Sequence, residues 1–299
     1  IVDLAEMIGS EPEMIVMDLH RAYSTRKVGK NLSEKYGVPL KEVQHHWAHA
    51  ASLLADNGLT GGTVLTLDGT GYGSDGNAWG GEVLSTDLKD FTRDAHLEYI
   101  PLLGAEKAVY DLRRLKFAID AMNGKESDLF PEREASILTK LMDTSVKSSS
   151  MGRLMDTLSF MFGRCEYRTY DGEPSMKLEP LLARGSLIPG YDTYVENGVI
   201  KTAHLFDRIN RNDRPEDVAY SIVHGVMDEL VAVAAENADR TGNGYIGMSG
   251  GVTYNRIVSK MFDELGSRSD HELILHNRVP NGDGGISVGQ AAIALMMIR

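Results

Sequence analysis

Two histidines four residues apart, His45 and His49, have the spacing in this chain that best suits a metal site. They lie in a segment predicted to be helical. Positions i and i+4 share one face of a helix, so both imidazoles can reach one cation while His46 points elsewhere. Imidazole suits Fe, Zn, Ni or Cu, and the glutamate base of helical zinc hydrolases is missing. Taken alone, such a pair is most often two ordinary histidines near a helix start.

Two glycine-containing turns follow apolar strands. Asp68 ends one predicted strand, and the range Gly69–Gly76 after it contains four glycines. Glycine lets backbone N–H groups approach a phosphate closely, and a strand-end carboxylate commonly organises a metal or an attacking group. Ser249-Gly250-Gly251 lies between a second predicted strand and a helix, where amides and the positive helix end favour a phosphate. Each turn alone is also compatible with an ordinary hairpin or tight connection.

Asp283 offers a third metal donor far along the chain. It lies in a loop of proline, asparagine and glycine before the last predicted helix. Alone, this position is typical of a turn or a helix N-cap. Together with the histidine pair, it could complete a two-histidine, one-carboxylate site with open coordination positions.

Composition narrows the class of protein. The chain has 299 residues, enough for two domain-sized units, and a formal charge of −12 that makes nucleic acid a poor default partner. Its single cysteine, Cys165, can form no internal disulfide, which fits a reducing cytosol. No membrane span is predicted, because even Ser221–Ala238 is interrupted by charged residues, and no signal peptide is visible. We therefore expect a cytoplasmic protein that binds neither membrane nor nucleic acid.

The apolar pattern predicts alternating strands and helices. Strands are predicted at Met14–Leu19, Thr63–Asp68, Ala78–Leu84, Gly244–Met248 and Leu273–Leu275, with a hairpin at Tyr191–Lys201 turning at Asn197-Gly198. Helices are predicted at Ser24–Tyr36, His45–Asn57, Leu103–Asn123, Pro131–Asp143, Gly152–Phe162, Pro215–Arg240, Thr253–Leu265 and Ile286–Ile298. We interpret the apolar stripe of Gly152–Phe162 as core. The alternation favours an α/β fold, and strand–glycine–helix units near both ends indicate two related lobes.

These motifs together resemble the C-terminal part of the HypF family of hydrogenase-maturation carbamoyltransferases. The resemblance runs from about Asp18 to Gln290. The segments that carry it are Gln44–His49, Asp68–Glu82, Ser148–Asp156, Tyr170–Glu179, Ser249–Asn255 and Val279–Gln290. The O-carbamoyltransferases of antibiotic synthesis and the tRNA threonylcarbamoyltransferases are similar in fold and in their metal-plus-nucleotide cleft.

The resemblance implies an α/β fold of the actin/Hsp70/sugar-kinase type, with two RNase H-like lobes around a nucleotide and metal cleft. Residues 1–102 and 285–299 would form the first lobe, which carries the histidine pair and the glycine loop. Residues 103–284 would form the second, nucleotide-binding lobe. The family has further strands before the position of Asp18, so we expect the first lobe to be incomplete on its N-terminal side. The family's acylphosphatase-like, zinc-finger and adenylate-forming regions are expected elsewhere, on the same longer chain or a separate one.

The resemblance also implies roles for individual residues. The metal would be held by His45, His49 and Asp283, with Asp68 beside the metal and the phosphate; Asp68 and the two histidines are the expected catalytic group. Asp156 and Glu179 would hold the ribose hydroxyls. The other residues expected around the nucleotide are Gly69, Thr70, Gly71, Gly172, Gly250, Gly251 and Asn255.

In the HypF family, carbamoyl adenylate is bound here and its carbamoyl group passes to the C-terminal cysteine thiolate of HypE, later becoming a cyanide ligand of NiFe hydrogenase. The implied cofactors are Fe²⁺ or Zn²⁺ and ATP, AMP or carbamoyl adenylate, with Mg²⁺ as an accessory ion. The implied partner is a HypE-type acceptor protein.

Two other functions stay open. One is an enzyme of the tRNA threonylcarbamoyltransferase or O-carbamoyltransferase kind. The other is a nucleotide-binding interaction module without catalysis of its own. The acidic charge and the segment Trp79–Glu82 favour the HypF-like function over the tRNA enzyme. A sugar kinase is disfavoured, because sugar kinases do not need the histidine pair.

Overall fold

The structure is a computed structural model that describes residue 7, residues 9–210 and residues 212–298. The strands are β1 (Ile15–Asp18), β2 (Leu40–Val43), β3 (Gly62–Tyr72), β4 (Ala78–Thr86), β5 (Phe91–Leu97), β6 (Ile100–Pro101), β7 (Lys147–Ser148), β8 (Val195–Glu196), β9 (Val199–Ile200), β10 (Tyr245–Ser249) and β11 (Glu272–Ile274). The helices are α1 (Thr25–Tyr36), α2 (His45–Asp56), α3 (Glu106–Tyr110), α4 (Arg113–Met122), α5 (Glu132–Leu141), α6 (Met151–Met161), α7 (Glu173–Leu182), α8 (Pro215–Thr241), α9 (Arg256–Gly266) and α10 (Ile286–Ile298).

One mixed sheet forms the frame of the molecule. Its strand order is β11-β10-β3-β4-β5-β9-β8, with β7 paired to β4 and β6 paired to β7. Strands β1 and β2 form a separate parallel pair. Strands β11, β10 and β3 are parallel neighbours, and β3, β4 and β5 are antiparallel neighbours. Because Ile246–Ser249 pair in parallel with Thr63–Thr66, the glycine turn after β10 lies beside the Asp68–Gly71 segment. That segment was predicted as a loop, but it belongs to β3, whose pairing with β4 shifts register between Leu67 and Gly71.

Strand β3 separates two hydrophobic cores. Successive residues of a strand point to opposite faces. Accordingly, Val64 packs into a smaller core with α2 and α10, whereas Leu65 packs into a larger core on the other side. Helices α2 and α10 cross closely, because a Cβ at Gly289 would overlap the carbonyl of Ala48. Helix α2, which carries the histidine pair, is therefore fixed between the sheet and the last helix.

Helix α8 is a core helix. Contrary to the sequence expectation, its length and composition alone would suffice to cross a membrane. However, 61% of its apolar stretch is buried inside the protein. Val223, Val226 and Leu230 lie in the larger core without exposure. A helix buried on most sides is apolar on most sides, so packing accounts for its composition.

Most predicted elements are present within a few residues. Asn197 and Gly198 have φ of 53° and 76°, as a type I′ turn requires. The range Leu103–Asn123 is mostly helical, as predicted, but Asp111 is extended, with ψ of 95°, and divides α3 from α4. Strands β2 and β5 and helix α7 were not predicted. In β5, charged residues follow Phe91 and mask the apolar alternation.

The division into two lobes, residues 1–102 with 285–299 and residues 103–284, stays a prediction. The sheet itself is continuous across that boundary, since β3 pairs directly with β10.

Candidate metal and nucleotide site

Helix α2 presents the histidine pair on one face. Gln44 caps the helix, since its side-chain oxygen accepts a hydrogen bond from the Trp47 N–H at 2.8 Å. His45 and His49 are buried, and their ring centroids lie 5.0 Å apart. His46 points elsewhere, with its Nε2 3.8 Å from the buried carboxylate of Glu82. The helix therefore directs two of its three histidines towards a common point.

Two aspartates meet the histidine pair at that point. Asp68 Oδ2 lies 3.4 Å from His45 Nε2 and 3.9 Å from His49 Nε2. Asp283 Oδ1 lies 3.6 Å from His45 Nε2 and 3.5 Å from His49 Nε2. One donor atom from each of the four residues lies within 4.8 Å of all the others. The fold thus gathers donors from α2, β3 and the turn before α10; we call this group the donor cluster.

The donor cluster fits a divalent transition metal. Both ring nitrogens of His49 are buried and have no hydrogen-bond partner within the described part of the chain. A buried nitrogen without a partner is costly, and a cation is the partner that two imidazoles and two carboxylates share. Imidazole and carboxylate together suit iron and zinc.

Asp18, at the end of β1, orients His45 from behind. Its Oδ2 lies 3.0 Å from His45 Nδ1, on the opposite side of the ring from the donor cluster. A carboxylate on one ring nitrogen fixes the tautomer and leaves the other nitrogen free for a metal. Sequence reasoning predicted the strand but missed this role, because no local pattern connects Asp18 with His45.

The loop that carries Asp283 is tied to the far end of α2. The carboxylate of Asp56 accepts hydrogen bonds from the backbone N–H groups of Asn277 at 2.6 Å, Arg278 at 3.0 Å and Val279 at 3.1 Å. Burial alone would raise the pKa of Asp56, but these three donors outweigh it and lower that pKa. The helix that supplies the histidines therefore also positions the loop of the third predicted ligand.

Both acidic members of the donor cluster are held as anions. Burial works to raise the pKa of Asp68, yet the hydrogen bond from His45 and the charges of His49 and His45 lower it well below its usual range. The imidazoles of His45 and His49, 3.6 Å and 3.5 Å from Asp283 Oδ1, lower the pKa of Asp283. A bound cation would act in the same direction as the histidine charges.

A cavity of about 550 Å³ opens beside the donor cluster and reaches α6 and α7. Of the residues predicted for metal or nucleotide, those that line it are Asp68, Gly69, Thr70, Asp156, Gly172, Glu179, Gly251, Asn255 and Asp283. Asp68 connects the donor cluster with the turn after β10, since its Oδ1 accepts a hydrogen bond from Gly251 N–H at 3.2 Å. Two members of the donor cluster, Asp68 and Asp283, therefore form part of the wall of a cavity large enough for a nucleotide.

Two predicted glycines are not among the residues that line the cavity. Gly71 lies against the rings of His45 and His46, which a Cβ there would overlap. Gly250 has φ of 106° and packs on the backbone of Leu67, where a Cβ would also overlap. In the structure both glycines permit close packing between elements.

The far end of the cavity carries the residues predicted for the ribose. Asp156, on α6, is buried and pairs with Arg153 Nη2 at 3.0 Å. Burial raises the pKa of Asp156, against the charge of Arg153, which lowers it. Glu179, on α7, is only partly buried. Asn255 caps α9 through its side-chain oxygen, which leaves its buried Nδ2 without a partner in the described structure.

Sequence reasoning missed the basic side of the cavity. Arg153 and Arg168 both line it, and Ser150 joins α6 to the glycine loop. The Ser150 hydroxyl lies 2.7 Å from the carbonyl oxygens of Asp68 and Gly69, where it can donate. The segment Gly152–Phe162 was interpreted as core because its apolar stripe is clear. The polar residues on its other face had no such periodic signal.

The fold and the site define a Kae1-like carbamoyltransferase domain. Residues 64–290 match the family described as the carbamoyltransferase Kae1-like domain, second subdomain. Residues 1–56 match the HypF Kae1-like domain. The chain belongs to the HypF family of carbamoyltransferases.

Sequence relatives agree with this membership. The chain is 36% identical to the probable carbamoyltransferase HypF of Methanocaldococcus jannaschii over 95% of its own length and 39% of the relative. It is 33% identical to the carbamoyltransferase HypF of Rhodobacter capsulatus over 98% of its length and 40% of the relative. The chain thus spans about two fifths of the length of these relatives.

The fold is also that of a solved relative. A crystal structure of full-length HypF in its phosphate- and nucleotide-bound form superposes with a TM-score of 0.87 at 30% identity, over 99% of this chain and 40% of that one. This match confirms the predicted α/β fold of the actin/Hsp70/sugar-kinase class.

Proposed function

We propose that this chain carries the carbamoyl-transfer site of a HypF-type enzyme. The carbamoyl group of carbamoyl adenylate would pass to the C-terminal cysteine thiolate of a HypE-type acceptor, for synthesis of the cyanide ligand of NiFe hydrogenase. One observation carries the proposal: the donor cluster and the Asp156–Glu179 end of the cavity open onto the same space. A metal and a nucleotide bound at these two ends would meet at Asp68.

In this proposal His45, His49 and Asp283 hold one divalent ion, Fe²⁺ or Zn²⁺, with Asp68 beside it. The unpartnered nitrogens of His49 support this assignment. When bound, the metal supplies positive charge that polarises a carbamoyl or phosphate oxygen. The carboxylate of Asp18 keeps the His45 ring turned towards the ion.

The nucleotide would extend from the donor cluster to α7. Gly69, Thr70 and Gly251 would approach the phosphate, with Mg²⁺ as an accessory ion when ATP is bound, while Gly71 and Gly250 would support them through close packing. The ribose hydroxyls would donate to Asp156 and Glu179, near Gly172. The free N–H donors of Asn255 Nδ2 support its place beside the nucleotide, since they have no protein acceptor in the described structure.

The transfer step needs no protein nucleophile. The acceptor thiolate forms a C–S bond with the carbamoyl carbon, the bond from that carbon to the phosphate oxygen breaks, and the electron pair leaves on AMP. The chain positions the two reactants and shields the anhydride from water. Cys165 is buried, and burial raises the pKa of its thiol, so it is unsuited to attack.

The partners in this proposal are a HypE-type acceptor and the acylphosphatase-like, zinc-finger and adenylate-forming regions, on the same longer chain or a separate one. The two-fifths coverage of the relatives supports the need for such regions. A cytoplasmic location is proposed from the single, unpaired cysteine.

The test is a pair of assays on the purified chain, with presynthesised carbamoyl adenylate as substrate. AMP release is followed with and without the acceptor, and the acceptor is examined by mass spectrometry. We expect carbamoylation of the acceptor's C-terminal cysteine, and no adenylate from carbamoyl phosphate and ATP. An acceptor that gains no carbamoyl group, although metal and AMP are bound, would show a binding module instead.

A further inference from the structure

Arg153 is a buried cation with unused hydrogen-bond donors. It lies in the first turn of α6, only 4% of its surface is exposed, and it lines the cavity. Its Nη2 pairs with Asp156 at 3.0 Å. Its Nε and Nη1 are buried and find no acceptor within the described residues. Because leaving buried charged donors unpaired is costly, the side chain points to an acceptor supplied by a ligand.

The first turn of α6 surrounds Arg153 with further donors. The opening N–H groups of an α-helix have no acceptor within the helix, and this end carries a partial positive charge. Ser150 Oγ accepts a hydrogen bond from the N–H of Arg153 at 3.1 Å, so the donors that matter here are the N–H groups of Met151 and Gly152. Gly152, the second residue of α6, also lines the cavity. A Cβ at Gly152 would lie 2.8 Å from the Cα of Gly69, so the helix end directly abuts the glycine loop. Ser150 locks this contact, because its hydroxyl meets the carbonyl oxygens of Asp68 and Gly69.

A second guanidinium group, that of Arg168, lies near Arg153. Arg168 lines the same cavity, and its pKa is lowered by burial and by the charge of Arg153, which places two guanidinium groups in one neighbourhood. Asp156 neutralises one of them from the buried side. Asp171 pairs with Arg168 but is 95% exposed, so solvent screens that pair. Two guanidinium groups therefore lie in a cavity wall that also carries the carboxylates of Asp156 and Glu179, and Arg153 is the one whose buried donors have no acceptor in the described structure.

We propose that Arg153 and the first turn of α6 bind the phosphoryl group of an adenosine nucleotide, with Asp156 holding the guanidinium in place. A planar guanidinium fits phosphate oxygens in a forked arrangement, and a helix end supplies N–H groups to the same anion. This inference rests on the proposed function, because the nucleotide must occupy this cavity. It assigns to Arg153 the recognition of the phosphate that the proposed function places next to the donor cluster.

The test compares adenosine with AMP by titration calorimetry on metal-loaded protein. The ratio of the two Kd values isolates the phosphate contribution. In Arg153→Gln we expect that ratio to fall by about 10-fold or more, with the Kd of adenosine nearly unchanged. Arg164→Gln is the matched control, since Arg164 is an exposed arginine that is not among the residues lining this cavity, and its ratio should stay at the wild-type value.

The outcomes separate this inference from the proposed function. A wild-type protein that binds neither adenosine nor AMP contradicts the proposed function itself. Wild-type binding with an unchanged ratio in Arg153→Gln overturns only the role of Arg153. Should Arg153→Gln fail to fold because Asp156 is left buried and unpaired, the double variant Arg153→Gln/Asp156→Asn removes both charges. Any ribose contribution of Asp156 affects both ligands alike, so an unchanged ratio in the double variant also overturns the inference.

Discussion

The two ends of the cavity are built differently. At the donor cluster, two of the three predicted ligands are positioned by protein hydrogen bonds: His45 by Asp18, and the Asp283 loop by Asp56 at the end of α2. At the Asp156–Glu179 end, one carboxylate is buried in an ion pair while the other lies partly exposed on α7. The metal end is thus preorganised, whereas the nucleotide end leaves more polar groups to be satisfied by its ligand. Single substitutions should therefore have larger effects at the metal end.

The largest effect is expected for His49→Ala. It removes a ligand whose two ring nitrogens have no other partner in the described structure. Because changes even behind a metal ligand cost about 10- to 100-fold in affinity, loss of the ligand itself should cost at least about 100-fold. Metal content is measured by elemental analysis of protein purified without air. His224→Ala serves as the control. An undiminished metal content in His49→Ala would contradict the assignment of His49 as a metal ligand.

A smaller effect is expected for Asp156→Asn on nucleotide binding. The amide keeps the shape of the side chain but loses the charge that accepts hydrogen bonds from ribose, so AMP affinity should fall about 30-fold with metal content unchanged. Calorimetry with AMP measures it. Asp120→Asn is the control, a buried carboxylate paired with Lys116 that is not among the residues lining the cavity. Equal AMP affinity in wild type and Asp156→Asn would exclude the ribose role.

Asp56→Asn tests how far metal binding depends on the positioning of the Asp283 loop by Asp56. An amide replaces a carboxylate that accepts three backbone N–H groups, so the Asp283 loop should lose part of its hold on α2. We expect metal affinity to fall by about 10-fold, near the lower limit for residues that support a ligand. Competition with a chelator measures the affinity, and exposed Asp228→Asn is the control. A loss of thermal stability with unchanged metal affinity would show that Asp56 supports the fold alone.

The smallest effect is expected for Tyr254→Phe. The Tyr254 hydroxyl accepts a hydrogen bond from Gly282 N–H at 3.2 Å, next to Asp283, but the side chain is 60% exposed. Water can replace this acceptor, so the free energy of unfolding should change by no more than about 1 kcal/mol. Metal affinity should change by less than about 3-fold. A larger loss would mean that Tyr254, rather than Asp56, is the main support of the Asp283 loop.

The sequence predicted the local part of the site well and the distant part only through family resemblance. The spacing of His45 and His49 alone placed both on one helical face, because the helical period fixes it. Asp283 lies more than two hundred residues further along the chain, and no local sequence pattern predicts a contact over that separation. Its place beside the histidines depends on the parallel pairing of β3 with β10. Asp18 and Arg153 were missed for the same reason, since their roles depend on packing between elements.

The sequence predicted most individual strands and helices, but it did not predict which strands are neighbours in the sheet. The strands with continuous apolar runs, β3 and β10, were placed correctly because burial on both faces removes polar alternation. Strand β5 was missed because Arg93 and Asp94 sit among its apolar residues and bond to partners elsewhere. Which strands are neighbours depends on tertiary contacts that periodicity does not contain.

Strand β3, buried on both faces, also has a consequence for how the chain folds. Its parallel neighbour β10 is separated from it by most of the sequence, so their pairing closes a long loop, and such contacts form slowly. Asp68 reaches the histidines only when β3 is in place between its two cores. His45, His49 and Asp68 are close in sequence, whereas Asp283 can join them only after this long loop has closed, so the complete donor cluster requires both a local and a long-range step of folding.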